Sequence, residues 1–122
     1  MTTPLHQIKA EFFKTLSHPV RIRVLELLSE REHSVGELLA EMDVEASSLS
    51  QQLAVLRRAG LATTRKERST VHYSLVSPQI AELMSVARSI LTSVLSEQAD
   101  LLTTLRSDAR TSRRDQVRRV RQ

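Results

Sequence analysis

Between Pro78 and Leu105, apolar side chains return every seven residues at Ile80, Ala87, Val94 and Leu101, and Leu83, Met84, Ile90, Leu91, Leu102 and Leu105 broaden the stripe. A repeat of seven keeps one face of an α-helix turned toward a neighbour along its whole length. Ser77-Pro78 supplies the start: a hydroxyl to cap the first turn, and a proline whose missing N–H costs nothing there. A chain of 122 residues is one domain's worth of sequence. Such a domain is too small to cover so long a face, so the stripe requires a partner helix, most economically its own copy across a two-fold axis. The sequence predicts a homodimer with Ile80, Leu83, Met84, Ala87, Ile90, Leu91, Val94 and Leu101 in its interface.

Composition narrows what the rest can be. Aromatic residues make up only 2% of the chain, so Leu, Ile, Val and Ala must build the core. The absence of cysteine excludes a disulfide framework, a thiolate metal site and a cysteine nucleophile, and it fits a reducing cytosol. Two glycines are too few for a dinucleotide fingerprint or a phosphate-cradling loop. No apolar run approaches a membrane span, and MTTPLHQIKAEFF lacks the basic and apolar regions of an export signal. The expectation is a cytoplasmic protein with no membrane partner.

Charge is unevenly placed. Residues 1–105 carry 11 basic and 12 acidic groups, whereas residues 106–122 carry seven arginines against Asp108 and Asp115. With Val117 and Val120 as its sizeable apolar side chains, this tail is expected to be disordered or loosely helical, an appendage to a domain at 1–105. It reads either as a sequence-independent phosphate-binding arm or as a solubilising end.

Within residues 1–105, helix periodicity and capping residues mark four shorter helices. Thr3-Pro4 opens the first, with Leu5, Ile8, Phe12 and Leu16 on one side. Ser17-His18-Pro19 opens a second whose Val20, Ile22, Val24, Leu25, Leu27 and Leu28 are apolar on so many sides that it must be largely buried. After the polar break Arg31-Glu32-His33, Ser34-Val35-Gly36-Glu37 matches a capping box and starts the third, with Leu38, Leu39 and Met42 facing inward. A short turn at Asp43-Val44 leads to the fourth, where Leu49, Leu53 and Leu56 line one side and Gly60 is placed to end it. Two short β-prone runs, 61–66 and 71–75, then form a hairpin.

The third and fourth helices, joined by that turn, have the spacing of a helix-turn-helix. At 100° per residue, Ser47, Gln51, Ala54 and Arg58 lie opposite the leucines of the fourth helix, flanked by Ser48, Ser50 and Arg57. Small hydroxyls, an amide and guanidinium groups are what a helix entering the major groove needs to read base edges of double-stranded DNA. The hairpin adds Arg65, Lys66, Arg68, Ser69 and Thr70, suited to phosphates or to an arginine in the minor groove. The alternative is a helical interaction module or co-regulator protein whose helix-turn-helix is vestigial. An enzyme is not expected, since no nucleophile motif is present and no histidine is paired with a carboxylate in a predicted pocket.

The segments FFKTLSHPVRIRVLELL, SVGELLAEMDVEASSLSQQLAVLRRAGL and RKERSTVHYSL, spanning residues 12–75, resemble the ArsR/SmtB family of winged-helix transcriptional repressors. The resemblance implies a mainly α fold with a small hairpin in the order α1-α2-α3-α4-β1-β2-α5, and a homodimer that blocks a pseudo-palindromic promoter site until an inducer weakens it. It places Leu5, Ile8 and Phe12 of the first helix in the dimer interface, Ser47, Ser48, Ser50 and Gln51 at base-reading positions, and 65–70 in the wing. Where the thiolate-sensing branch has cysteines this chain has Val35-Gly36-Glu37-Leu38, and residues 78–105 lack the histidine of the zinc-sensing branch. Many members turn the wing on a Gly-Arg pair. Here the turn is Arg68-Ser69, with no residue free to take positive φ.

No cofactor is required by this reading. Of the histidines, His18 is expected to cap the second helix, His72 to pack in the hairpin and His33 to sit on the surface. His6 differs. The resemblance implies that the first helix packs near the dimer helix, so that His6 with Glu97 or Asp100 of a partner chain would offer nitrogen and oxygen ligands to Ni²⁺ or Zn²⁺ as an effector.

Overall fold

A computed structural model describes the backbone of residues 2–121 and side chains through Thr111. The elements run α1 (Leu5–Leu16), α2 (Pro19–Glu30), β1 (His33–Ser34), α3 (Val35–Glu41), α4 (Ala46–Arg58), β2 (Ala62–Glu67), β3 (Thr70–Leu75) and α5 (Pro78–Arg121). They fall into two compact units, Met1–Ser85 and Val86–Gln122.

In the first unit the local capping signals act as the sequence predicts. His18 is the N-cap of α2, its Nδ1 accepting from the amide of Val20 at 3.2 Å, and Pro19 occupies the first turn. Ser34 and Glu37 close the capping box on α3: the Glu37 amide donates to Ser34 Oγ at 3.2 Å and the Ser34 amide donates to Glu37 Oε1 at 3.0 Å. Helix α4 ends in a Schellman turn. Gly60 takes φ 76°, its amide donates to the Arg57 carbonyl, the Leu61 amide donates to the Leu56 carbonyl, and Leu56 and Leu61 are both buried. Helix α1 starts differently from expectation: Pro4 is the N-cap, Thr3 makes no cap bond, and the first turn closes onto the Pro4 carbonyl.

The core is aliphatic. Val24, Leu25, Leu27 and Leu28 of α2, Leu38 of α3, and Leu49, Leu53 and Leu56 of α4 are buried together with Leu16, Leu61, Ala62 and Ile80. Burying consecutive residues of α2 is possible because elements pack on more than one of its sides. A three-stranded antiparallel sheet in the order β1-β3-β2 borders this core, with Glu67 opposite Thr70 at the hairpin tip and Ala62 opposite Leu75 at its base.

Three further features depart from the sequence reading. His33 is 2% exposed, not a surface residue: it pairs with Tyr73 in the two-residue strand β1, and its Nδ1 lies 2.8 Å from the Arg31 carbonyl. A strand so short has no periodicity to announce it. Ile80 is buried in the core of its own chain, with Leu83 and Met84 packed against that core, so the start of the heptad stripe serves the domain itself. The last helix does not stop near residue 105 but continues to Arg121 through the segment expected to be a disordered or loosely helical tail. Beyond Pro78 the chain has neither glycine nor proline to break a helix. Its side chains from 112 onward lie outside the described residues.

The second unit is the body of α5. Ile90, Leu91, Val94, Leu95, Leu101, Leu102 and Leu105 are all exposed on it. Among the described residues, no helix is long and apolar enough to cross a membrane.

Candidate nucleic-acid interface

The rotation of α4 about its axis is set from within. Leu49, Leu53 and Leu56, each at most 1% exposed, bury one side, which leaves Ser47, Ser50, Gln51, Ala54, Arg57 and Arg58 exposed on the other and Ser48 half-buried at the edge. The helix is further tied to its neighbours by Arg21 of α2, which donates from Nε to Gln52 Oε1 at 2.8 Å and from Nη1 to the Thr15 carbonyl at 3.0 Å. Arg57 and Arg58 fall in the last turn, where cations also suit the negative end of the helix dipole. Glu45 is the N-cap of α4 without a side-chain cap bond.

The hairpin carries its cations unequally. Lys66, Arg68, Ser69 and Thr70 are exposed near or at the tip, and Arg68 itself supplies the positive φ, 59°, that glycine supplies in other hairpins. Arg65 is engaged within the chain. Its Nε and Nη2 donate to the two carboxylate oxygens of Glu32, and its Nη1 donates to Glu67 Oε2 at 2.8 Å. Glu32 also accepts from Ser74 Oγ at 2.9 Å and has His72 Nδ1 3.9 Å away. The Arg65 and Ser74 hydrogen bonds hold the Glu32 carboxyl below its ordinary value, Arg65 does the same for Glu67, and the two carboxylates push Arg65 upward.

The structure thus brings the six polar positions of α4 onto one element and the wing cations onto another, and it gives Arg65 a partner the sequence did not foresee. Arg21, Glu32, Gln52 and Ser74 were missed altogether, since their partners lie 31 to 42 residues away, apart from the short-range bond of Arg21 to Thr15. His6, Glu97 and Asp100 are exposed. No group of three His, Asp or Glu side chains suited to a metal forms among the described residues.

A helix-turn-helix domain family matches residues 16–65. The HTH-type transcriptional regulator Rv0081 of Mycobacterium tuberculosis is 55% identical over 105 residues, covering 85% of this chain and 92% of the relative. Its crystal structure superposes with a TM-score of 0.74 at 56% identity, over 80% of this chain and 99% of that one. The chain belongs to the ArsR/SmtB family of winged-helix regulators. A second relative, the biofilm growth-associated repressor of Agrobacterium fabrum, is 42% identical over 81 residues, 66% of this chain and 69% of that one. The fold is shared more widely: the homodimeric winged helix-turn-helix domain Mb0332 of Mycobacterium bovis, a possible ArsR-family regulator, superposes with a TM-score of 0.69 at 22% identity, over 76% of this chain and 86% of that one. As a member of the family the chain is a DNA-binding transcriptional regulator and not an enzyme.

Proposed function

We propose that two copies pair through the exposed seam of α5, at Ala87, Ile90, Leu91, Val94 and Leu101, with exposed Leu5 and Ile8 of α1 and the outer edge of Phe12, which packs partly on its own core, adding apolar surface, and repress transcription by occupying a pseudo-palindromic promoter site. Each copy offers α4 to a major groove. Ser47, Ser48, Ser50 and Gln51 read base edges, Arg57 and Arg58 meet phosphates beside them, and Lys66, Arg68, Ser69 and Thr70 engage the flanking backbone or minor groove. The arginine-rich end of α5 supplies a further contact to phosphates that is indifferent to sequence.

The observation that carries this reading is the buried Leu49-Leu53-Leu56 edge, which holds the polar side of α4 outward. Repression is favoured by the relative named a biofilm growth-associated repressor. The dimer is favoured by the homodimeric fold neighbour and by the exposed apolar side chains on α5.

Selection of bound duplexes from a random pool, followed by footprinting on the selected site, tests it. The expected result is a pseudo-palindrome with half-sites about one helical turn apart. Protein that selects no sequence favours the alternative, an interaction module or co-regulator. Repeating the footprint with Ni²⁺ and with Zn²⁺ tests His6, Glu97 and Asp100 as an effector site, which predicts a metal-dependent change in protection.

A further inference from the structure

Arg65 lies on the wing, where an arginine would ordinarily be counted among the groups that meet phosphate. Its geometry argues otherwise. The Nε and Nη2 donors form the side-on fork with which a guanidinium grips a phosphate, and here both are given to the carboxylate of Glu32. Glu67 takes Nη1 from the other side. Glu32 is itself well held. Arg31 Nη1 donates to the Glu32 carbonyl at 2.8 Å and to Glu37 Oε2 at 2.7 Å, and the next residues, His33 and Ser34, are hydrogen-bonded into β1. One Glu32 oxygen receives both Arg65 of β2 and Ser74 of β3, so a single carboxylate spans both strands of the wing.

We infer that Glu32 acts as an internal stand-in for phosphate: with Glu67 it withholds Arg65 from the duplex and braces the wing, leaving Lys66 and Arg68 to make its DNA contacts. Glu32 is therefore a positioning residue for specificity. It limits the charge-driven, sequence-indifferent part of binding, which would otherwise strengthen cognate and random DNA alike. The inference rests on the DNA-binding reading above.

The full-length protein, as wild type, E32Q, E67Q, R65A and E32A/R65A, is titrated with the selected duplex and with a shuffled duplex of the same composition across a range of salt. For E32Q the expected result is a several-fold gain in affinity for shuffled DNA at low salt, a salt slope steeper by about 0.9 for each additional phosphate neutralised, and a reduced ratio of cognate to shuffled affinity. E67Q moves the same way to a smaller degree. R65A leaves the wild-type slope unchanged, and E32A/R65A matches R65A. A merely structural role for Glu32 would weaken binding to both duplexes and does not steepen the slope. Unchanged slopes in both E32Q and E67Q, or a flatter slope in R65A, overturn the inference. Wild type that does not distinguish the duplexes fails the DNA-binding reading itself.

Discussion

Arg21 on α2 and Gln52 on α4 are joined by a hydrogen bond of 2.8 Å from Nε to Oε1, and the same guanidinium reaches back to the Thr15 carbonyl at the end of α1. One side chain thereby ties three helices near the face proposed to meet DNA. Truncation in R21A leaves the Gln52 amide oxygen and the Thr15 carbonyl without these donors. The expected cost is about 1–2 kcal/mol, read as a lower urea midpoint with an unchanged m-value. A midpoint equal to that of the wild type would show that water replaces both bonds at no loss.

The two sides of α4 should respond to truncation in opposite ways. Leu53 is 1% exposed, so L53A leaves a cavity and costs about 2–5 kcal/mol of folding stability. Gln51 is exposed, and Q51A should stay within about 0.5 kcal/mol of wild-type stability. On the selected duplex, however, Q51A should lose about 1–3 kcal/mol of binding and lose little on shuffled DNA. Equal losses on both duplexes would remove Gln51 from the base-reading set.

What was legible in the sequence is what is local. The Ser34-Glu37 box, the His18-Pro19 cap and the Gly60 turn each close within a few residues. The leucine spacing of α4 gave its outward side without any tertiary information. The interactions that tune the site are not local: Glu32 reaches Arg65 across 33 residues and Ser74 across 42. In the sequence Glu32 is only one polar residue in a break between helices. The heptad stripe was legible as a stripe but not as to partner, because a buried seam looks the same whether it faces its own domain, as at Ile80, or another surface.

Acid should weaken the fold partly through α3. The Ser34 amide and the Arg31 guanidinium lower Glu37 from its ordinary 4.5 to about 2. A carboxyl lowered on folding adds stability that is complete above its unfolded value and is lost as pH falls from there through the folded one. The window is therefore from about pH 5 down to about 2. E37Q keeps an acceptor for the Ser34 amide but removes the titration. Its urea midpoint should be lower than that of the wild type at pH 7 and should fall less between pH 6 and 3. Parallel pH profiles would assign the acid sensitivity elsewhere, to Glu32 and Glu67, whose carboxyls are also lowered.

At the wing tip stability and binding are set against each other. Arg68 holds φ 59°, which costs an L-residue about 1–2 kcal/mol and glycine nothing. Glycine also loosens the unfolded chain, at about 0.4–1 kcal/mol. R68G should therefore raise folding stability by roughly 0.5–1 kcal/mol, the difference between those two effects. The same change removes an exposed cation, so affinity for DNA should fall and the salt slope should flatten. A variant that loses stability as well would show that the Arg68 side chain, and not only its backbone, holds the turn.

The arginine-rich end of α5 gives a separable prediction because it carries so little else. Residues 106–122 hold seven arginines and two aspartates, while the preceding 105 residues are nearly balanced in charge. Among the described residues, the exposed large apolar side chains of α5 end at Leu105. Deleting 107–122 removes six of those arginines and leaves the seam intact, so sedimentation should still report a dimer. The salt dependence of binding should flatten, by about 0.9 for each phosphate that the truncated protein no longer neutralises, and by the same amount on selected and shuffled duplexes, because a charged helix end reads no base edges. The footprint on the selected site should keep its sequence and lose only affinity. An unchanged slope would make the segment a solubilising end, and a loss confined to the selected duplex would mean that it reads sequence after all.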